Sequence, residues 1–417
     1  MRRQLSFLAR AFITALTLPA LCAFAVWDHL LTNPYLAAAL IGSFVIHLSN
    51  RPKKLHLASA VVLATAFALA YHLTKQETLS SIYLPAFLGV GSLAVQGLVL
   101  TWSDPAGRKS AARALAIGAI FPLFLFFTAI GLAVVDQLNP KTYDHFLYVF
   151  DQSLGFVPSF AAGRLLESYT PLAYICYYAY EFLPLAMSLA FVLDKNSASR
   201  WSPNLLSVFV TVGLWGYLGY HLYPATGPIH VWPDQFPWHP LQPGTVLLEK
   251  SLVPPASRNA MPSLHLGMAL VIWLASRNWR IWWRALSAAL VVLVALATLG
   301  FGEHYLIDLV VAVPFVVSAR AWCTQAVRWG SPSRSLPAFG GALLTIGWLV
   351  LLRVGVPLFE HRPFLAWMSI ILTVGLPLWW EARLARFAAR SARCFDAFDA
   401  TLEPEVRPPF GLVGATE

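Results

Sequence analysis

Two histidines and one aspartate, His265, His304 and Asp308, are the residues of this sequence best suited to catalysis. They interrupt apolar stretches, where ionisable side chains are costly and therefore indicate function. His304 and Asp308 are four residues apart, so a helix would place them on one face, one turn from each other. The carboxylate could then fix the tautomer of the imidazole and leave its other nitrogen free as a nucleophile. Taken alone, this spacing is more typical of a helix cap.

His265 strengthens the catalytic interpretation, because it follows the helix start Pro262-Ser263-Leu264. Proline is tolerated in a first turn and serine is a good cap. The unpaired N–H groups of that turn form an anion site, so we expect Ser263 and Leu264 to contact a phosphate. His304 would attack the phosphorus, and His265 would protonate the departing oxygen.

The composition indicates a membrane protein. The chain has 417 residues, of which 58% are hydrophobic and 12% charged, whereas a soluble domain carries about 25% charge. The net charge of +9 does not indicate nucleic-acid binding, because the basic residues lie in short clusters between apolar segments rather than on one face or tail.

Twelve apolar stretches predict an all-α, polytopic bundle of about 12 (10–12) transmembrane helices, since only helices close their backbone hydrogen bonds within lipid. If the ends of these stretches alternate between two sides, 22 of the 29 basic residues fall on the side of both termini and 7 on the other. This asymmetry predicts N-in, C-in topology with His265 and His304 together at the outer face. The stretches are 11–27, 35–48, 57–73, 82–101, 114–135, 169–193, 203–223, 261–276, 285–302, 304–322, 337–352 and 364–380.

Three further segments have two interpretations each. Segment 11–27 resembles a signal peptide, but we favour a retained helix. Glu181, predicted near the middle of 169–193, is either functional or a structural partner of neighbouring tyrosines. The outer connection 224–260 holds eight prolines, which argue against a helix, and is either a lid or an interfacial anchor. The other long connection, 136–168, could include a short interfacial helix.

The motifs resemble the second and third motifs of the type 2 phosphatidic acid phosphatase superfamily. They are Pro262-Ser263-Leu264-His265 and Gly302-Glu303-His304-Tyr305-Leu306-Ile307-Asp308. Their context, with Tyr-Pro-Ala-Thr-Gly-Pro at 223–228 and the acidic stretch Asp144 to Gly155, is similar to the inositolphosphotransferase branch, typified by inositol phosphorylceramide synthase. The resemblance covers roughly 114–322.

The resemblance implies a covalent phosphohistidine at His304, orientation by Asp308, acid catalysis by His265, and neither a metal nor an organic cofactor. The superfamily's first motif is absent, and Thr298 replaces the usual third-motif arginine. Other groups must therefore bind the phosphate. We expect Arg258 and Lys141 to bind it, together with Gly227 of the 223–228 motif. For Arg258, ordinary solubility of the loop is an equal alternative.

The sequence thus predicts N-terminal helices at 1–113, a six-helix catalytic core at 114–322, further helices at 323–380 and a basic cytoplasmic tail at 381–417. The expected function is a lipid phosphotransferase of a membrane, most simply a bacterial inner membrane, with its active site on the extracytoplasmic side. A phospholipid, a sphingolipid or a polyprenyl phosphate could be the substrate. The alternatives are a lipid phosphate phosphatase that uses the same site, or a multi-span transporter.

The four cysteines form no Cys-x-x-Cys motif and predict no metal or disulfide framework. The sequence predicts no oligomeric state.

Overall fold

The computed structural model describes residues 33–75, 84–196 and 202–401. This part of the chain is mostly helical and contains two strands of two residues each, β1 (Lys141–Thr142) and β2 (Ser251–Leu252), which pair antiparallel. The all-α class is therefore confirmed. The first predicted stretch, 11–27, lies outside the described residues.

Sixteen α-helices follow one another in the described residues. They are α1 (Pro34–Ser49), α2 (Lys54–Lys75), α3 (Leu84–Trp102), α4 (Pro105–Leu138), α5 (Asp144–Gln152), α6 (Pro158–Ser168), α7 (Thr170–Glu181), α8 (Leu183–Asn196), α9 (Leu205–Leu222), α10 (Pro228–Val231), α11 (Leu264–Ala275), α12 (Ile281–Gly300), α13 (Leu306–Cys323), α14 (Pro332–Ser335), α15 (Gly341–Val354) and α16 (Pro363–Thr401). Short 3-10 turns occur at Ser276–Asn278 and Val356–Leu358, and a π turn at Leu336–Gly340.

Eight spans among the described residues are long and apolar enough to cross a membrane. The bent pair α7 and α8 adds a ninth if it is counted as one span, whereas α1 is shorter, at 16 residues. Large apolar side chains such as Phe127 and Val292 are exposed on these helices, as contact with lipid requires. The chain is a multi-pass membrane protein. Its orientation and its exact number of spans stay predictions.

The predicted span 169–193 is not one helix. It breaks at Phe182, and the axes of α7 and α8 differ by 59°. Pro184 explains the break, because its ring has no N–H for the carbonyl of Tyr180 and would clash with that carbonyl in a continuous helix. Glu181 therefore lies at the C-terminal end of α7, at the break between the two helices of this bent pair.

The two long connections also contain helices. Segment 136–168 holds two, α5 and α6. Segment 224–260, in which proline density predicts no helix, contains the single turn α10. Pro228 occupies the first position of that turn, where a missing N–H costs nothing. The rest of the segment is irregular apart from β2, which pairs with β1 ahead of α5.

α13 is the central helix of the bundle. In the most apolar stretch of α13, 83% of the residues are buried by the rest of the described chain, against 17 to 56% for the other seven spans. Its N-terminus meets that of α11, because the Ser263 N–H donates to the Asp308 carbonyl over 3.3 Å. The two helices therefore begin at the same level of the bundle.

Candidate active site

The junction of α11 and α13 brings the two predicted histidines together. His265 lies in the first turn of α11, and His304 lies two residues before α13. Their ring centroids are 6.2 Å apart and their planes are inclined by 71°. The two imidazoles, separated by about forty positions in sequence, thus border one small space.

His304 is buried, with 1% of its surface exposed, and each ring nitrogen faces a different group. Nδ1 lies 3.5 Å from Oδ2 of Asp308, and Nε2 lies 3.3 Å from Oγ of Ser263. A carboxylate beside Nδ1 favours the tautomer in which Nδ1 carries the proton and Nε2 keeps a lone pair. This arrangement can hold Nε2 ready for nucleophilic attack, with the Ser263 hydroxyl where an incoming group would bind.

The local geometry of His304 and Asp308 differs from the prediction in one respect. His304 is not on the helix, because the Gly302 turn, at φ +74°, precedes α13 and the N–H groups of Glu303 and His304 both donate to the Thr298 carbonyl. Asp308 caps its own helix by accepting the Tyr305 N–H at 2.8 Å. Asp308 therefore has both of the predicted roles, since its carboxylate caps the helix and also faces the imidazole of His304.

His265 borders a cavity of about 490 Å³. Its ring stacks on Tyr180, with centroids 4.1 Å apart, and meets the edge of Tyr35 at 5.5 Å. Glu181 and Leu264 also line this cavity, whereas His304 does not. A phosphate would thus reach His304 from the His265 side, by displacing the contact between His304 and Ser263.

Two buried aspartates position the loop that carries His304. Asp144 accepts hydrogen bonds from the Thr226 N–H and hydroxyl, the Gly227 N–H and the Tyr305 hydroxyl. It therefore joins α5, segment 223–228 and the motif at 302–308. From the sequence, Asp144 is notable only as part of the family resemblance. No local sequence pattern indicates these hydrogen-bond partners.

Asp151, two turns after Asp144 on the same face of α5, caps α13. Its oxygens accept the Leu306 N–H at 2.6 Å and the Ile307 N–H at 3.2 Å. Burial raises the pKa of this carboxyl well above its ordinary value, although the two N–H groups act in the opposite direction. With Asp308, it fixes the start of α13 and hence the place of His304.

Gly227 is required by a close approach of two backbones. Its φ is +137°, and a Cβ there would lie 2.5 Å from backbone atoms of Gly302 and Glu303. Only glycine adopts this conformation at no cost. The structure thus gives Gly227 a role in placing segment 223–228 against the histidine loop.

Arg258, the predicted phosphate-binding cation, has other partners in the structure. It is 2% exposed, and its five N–H groups have five acceptors. Nε donates to the Asn139 carbonyl, and the terminal nitrogens donate to three loop carbonyls and face Asp136 at 3.2 Å. No N–H group is left for a substrate, so the side chain instead fastens segment 253–258 to the end of α4.

Lys141 is exposed in β1, and no hydrogen bond or ion pair joins its side chain to the described site residues. Its predicted contact with phosphate therefore has no support in this arrangement. Within the described part of the chain, no group of three or more His, Cys, Asp or Glu side chains could hold a metal ion. Cys176 and Cys323 are free thiols.

His230 is a cation candidate that the sequence analysis missed. It lies in α10, and its Nε2 is 3.4 Å from Oε2 of Glu303, the residue before His304. This hydrogen bond raises the pKa of His230, against a smaller opposing effect of burial. The sequence signal that could have identified His230 is its position two residues after the Gly227-Pro228 pair.

Comparison with known proteins finds one family that is similar to a segment of this chain. Residues 145–322 match the family model described as the PAP2 superfamily. The match covers less than half of the chain and shows that this segment is similar to the superfamily. The match runs from α5 to the end of α13 and includes His265, His304 and Asp308. No curated protein and no solved structure matches the chain.

The PAP2 superfamily domain and the apolar helices support a membrane protein of the phosphatase type. The match supports the superfamily predicted from the motifs, whereas the inositolphosphotransferase branch stays a prediction. The cavity beside His265 is not built by the PAP2 domain alone, because Tyr35 of α1 and Phe124 of α4 also line it. Both helices precede the matched residues.

Proposed function

We propose that this protein is a lipid phosphotransferase that works through a phosphohistidine on His304. The observation that supports this most directly is the position of the His304 ring, with Nδ1 at Asp308, Nε2 at Ser263 and His265 across a gap of 6.2 Å between ring centroids. A nucleophile, the group that orients it and an acid for the leaving group are thus within reach of one phosphorus atom.

In the first step, Nε2 of His304 attacks the phosphorus of a lipid phosphate ester. An N–P bond forms, the ester P–O bond breaks, and His265 gives its proton to the departing alkoxide. The imidazole of His304 acquires positive charge as it attacks. The carboxylate of Asp308 stabilises that charge and keeps the proton on Nδ1.

In the second step, the oxygen of an acceptor alcohol attacks the phosphorus, and the N–P bond breaks. His265, now neutral, takes the proton of the acceptor. Water in place of the alcohol would make the same site a lipid phosphate phosphatase, which is the alternative. The cavity of about 490 Å³ beside His265 favours transfer, because it has room for an acceptor larger than water.

The N-terminus of α11, where Ser263 is the cap, and the side chain of His230 bind the phosphate. Backbone N–H groups at a helix start attract an anion, and the hydrogen bond to Glu303 favours the protonated form of His230. The proposed catalytic core is 114–322, flanked by helices at 1–113 and 323–380, with the site on the extracytoplasmic side. The proposed substrates are phospholipids, sphingolipids or polyprenyl phosphates.

The transporter alternative predicts broken helices in both halves of the chain. Among the helices that the structure describes, α7 and α8 are the one apolar pair with such a break. This distribution favours the enzyme.

Trapping of the intermediate tests the proposal. Purified protein in detergent, given lipids labelled with ³²P, should form an acid-labile, base-stable phosphoprotein. His304→Ala should abolish the label. His265→Ala should form the label more slowly and then hold it longer, because this variant lacks the acid of the first step and the base of the second. His221→Ala is the matched control, since His221 packs against Tyr217 on α9 and is not among the residues that line the cavity beside His265. Equal labelling of the wild type and of His304→Ala would refute the mechanism, and a screen of alcohol acceptors would separate transferase from phosphatase.

A further inference from the structure

A second cavity, of about 710 Å³, lies at the other end of α1 from the histidine site. Tyr35 borders the cavity beside His265, whereas His47, in the last turn of α1, lines the second one. Twelve helical residues separate these two positions, which corresponds to about 18 Å along the axis. The volume is in the range of about 300–1,000 Å³ that small-molecule sites occupy.

Two buried polar side chains line this cavity without a partner. Gln96 of α3 is 6% exposed and His47 is 5% exposed. Neither amide atom of Gln96 nor Nδ1 of His47 has a hydrogen-bond partner among the described residues. An unpaired polar group is costly inside an apolar bundle, where water is scarce. Their position on a cavity wall indicates that a ligand supplies the missing partners.

The mouth of the cavity carries an excess of positive charge. Arg113 of α4 and Lys195 of α8 both line it and are exposed, and Lys195 donates to Oδ1 of Asn50 at 2.9 Å. Asp194 is the one carboxylate among the described lining residues. Two permanent cations against one carboxylate, together with imidazoles and an amide, suit an anion that accepts hydrogen bonds.

The remaining wall is apolar. Val95 and Val99 of α3, Ile117 of α4 and Phe191 of α8 face the same space as Gln96. A polar centre with a cationic mouth and a hydrocarbon wall fits an amphiphile better than a fully hydrated ion.

We propose that this cavity binds the phosphate group of an anionic lipid. Its oxygens accept hydrogen bonds from the Gln96 amide and from the His47 ring, and Arg113 and Lys195 balance the charge. The glycerol and acyl part lies along Val95, Val99 and Ile117. The site is separate from the proposed catalysis, because no described contact joins these residues to His265, His304 or Asp308.

Photoaffinity labelling of the full-length protein tests this site. The probe is a short-chain phosphatidylglycerol with a diazirine in its acyl chain, and dioctanoylglycerol with the same diazirine serves as the neutral control. Adducts are located by mass spectrometry of peptides. We expect phosphatidylglycerol, but not the neutral probe, to label residues between Val95 and Ile117.

Three variants make the test specific. Gln96→Met keeps the side-chain volume but removes the amide, and Arg113→Gln removes a cation; each should weaken labelling by about tenfold, the effect of losing one charge-assisted contact. Ser92→Ala is the matched control, because Ser92 is also a buried, unpartnered side chain, one turn away on α3, that does not line the cavity. It should label like the wild type.

The source of the phosphate is decided by competition. If inorganic phosphate displaces the probe at millimolar concentration, free phosphate suffices, and if it does not, the lipid is the ligand. Labelling that is unchanged in Gln96→Met and Arg113→Gln, or equal labelling by the neutral probe, would overturn the proposal. His304→Ala should leave labelling at Val95–Ile117 unaltered, so failure of the catalytic proposal would not be confused with failure of this one.

Discussion

Replacement of Asp308 by asparagine tests the chemistry of His304 with the least change of shape. The side-chain carbonyl of the new asparagine could still accept the Tyr305 N–H, which is 2.8 Å from Oδ2 in the native protein. The other carboxylate oxygen, Oδ1, has no partner among the described residues, so an amide NH₂ there breaks no hydrogen bond. The variant therefore removes one negative charge at 3.5 Å from Nδ1 of His304 and leaves the helix cap in place.

The size of the effect follows from this distance and from burial. Two unit charges 3.5 Å apart attract by about 4–5 kcal/mol at an effective dielectric constant of about 20. Both side chains are buried, so solvent screens them little. Since the neutral carbonyl would still direct its dipole at Nδ1, we expect about 3–4 kcal/mol of this stabilisation to be lost. That corresponds to a fall of about 10²–10³-fold in the rate of phosphorylation.

The assay is the single-turnover formation of the ³²P-labelled phosphoprotein, normalised to folded protein by size-exclusion chromatography. Asp136→Asn provides the control, because that carboxylate pairs with Arg258 outside the histidine site. The control should react within about threefold of the wild type, since the charge it removes is remote from the reacting atoms. If Asp308→Asn also phosphorylates at the wild-type rate, Asp308 does not stabilise charge on His304 and the proposed role is wrong.

Three further variants probe the residues around the histidines. Arg258→Met should lower the free energy of unfolding by about 3 kcal/mol or more, because the partly buried carboxylate of Asp136 and four carbonyls lose their hydrogen-bond donor. Phosphoprotein labelling per folded molecule should stay unchanged. Gly227→Ala should reduce both the melting temperature and phosphorylation, since its Cβ would lie 2.5 Å from the Glu303 backbone; equal values would show that segment 223–228 can shift freely. The His230–Glu303 pair should stabilise the fold below the ordinary histidine pKa of 6.5 and lose this contribution as the pH rises through the raised pKa of His230. In His230→Gln, the melting temperature measured from mildly acidic to mildly basic pH should vary less with pH than in the wild type. A melting temperature that is lowered equally at every pH would contradict this role of the His230–Glu303 pair.

The distribution of apolar residues was sufficient to predict a helical membrane protein. Hydrocarbon leaves the backbone no partner outside its own helix, so every long apolar run in the described residues became helical. Counting the runs also placed His265 and His304 at the same end of α11 and α13, since each helix reverses the direction of the chain. The break at Phe182 follows from Pro184 by the same local rules, whereas hydropathy alone predicts one uninterrupted stretch over 169–193.

The contacts of individual side chains were decided by the tertiary structure. Arg258 looked available because sequence does not reveal the carbonyls of a folded loop, and these carbonyls occupy its donors. Asp144 and Asp151 determine the position of His304 through partners that lie about 80 to 160 positions away. Tyr35 and Phe124 line the cavity from helices outside the PAP2 domain. Periodicity and hydropathy are properties of neighbouring residues, whereas hydrogen-bond partners and cavities arise between distant segments, so only the folded chain defines them.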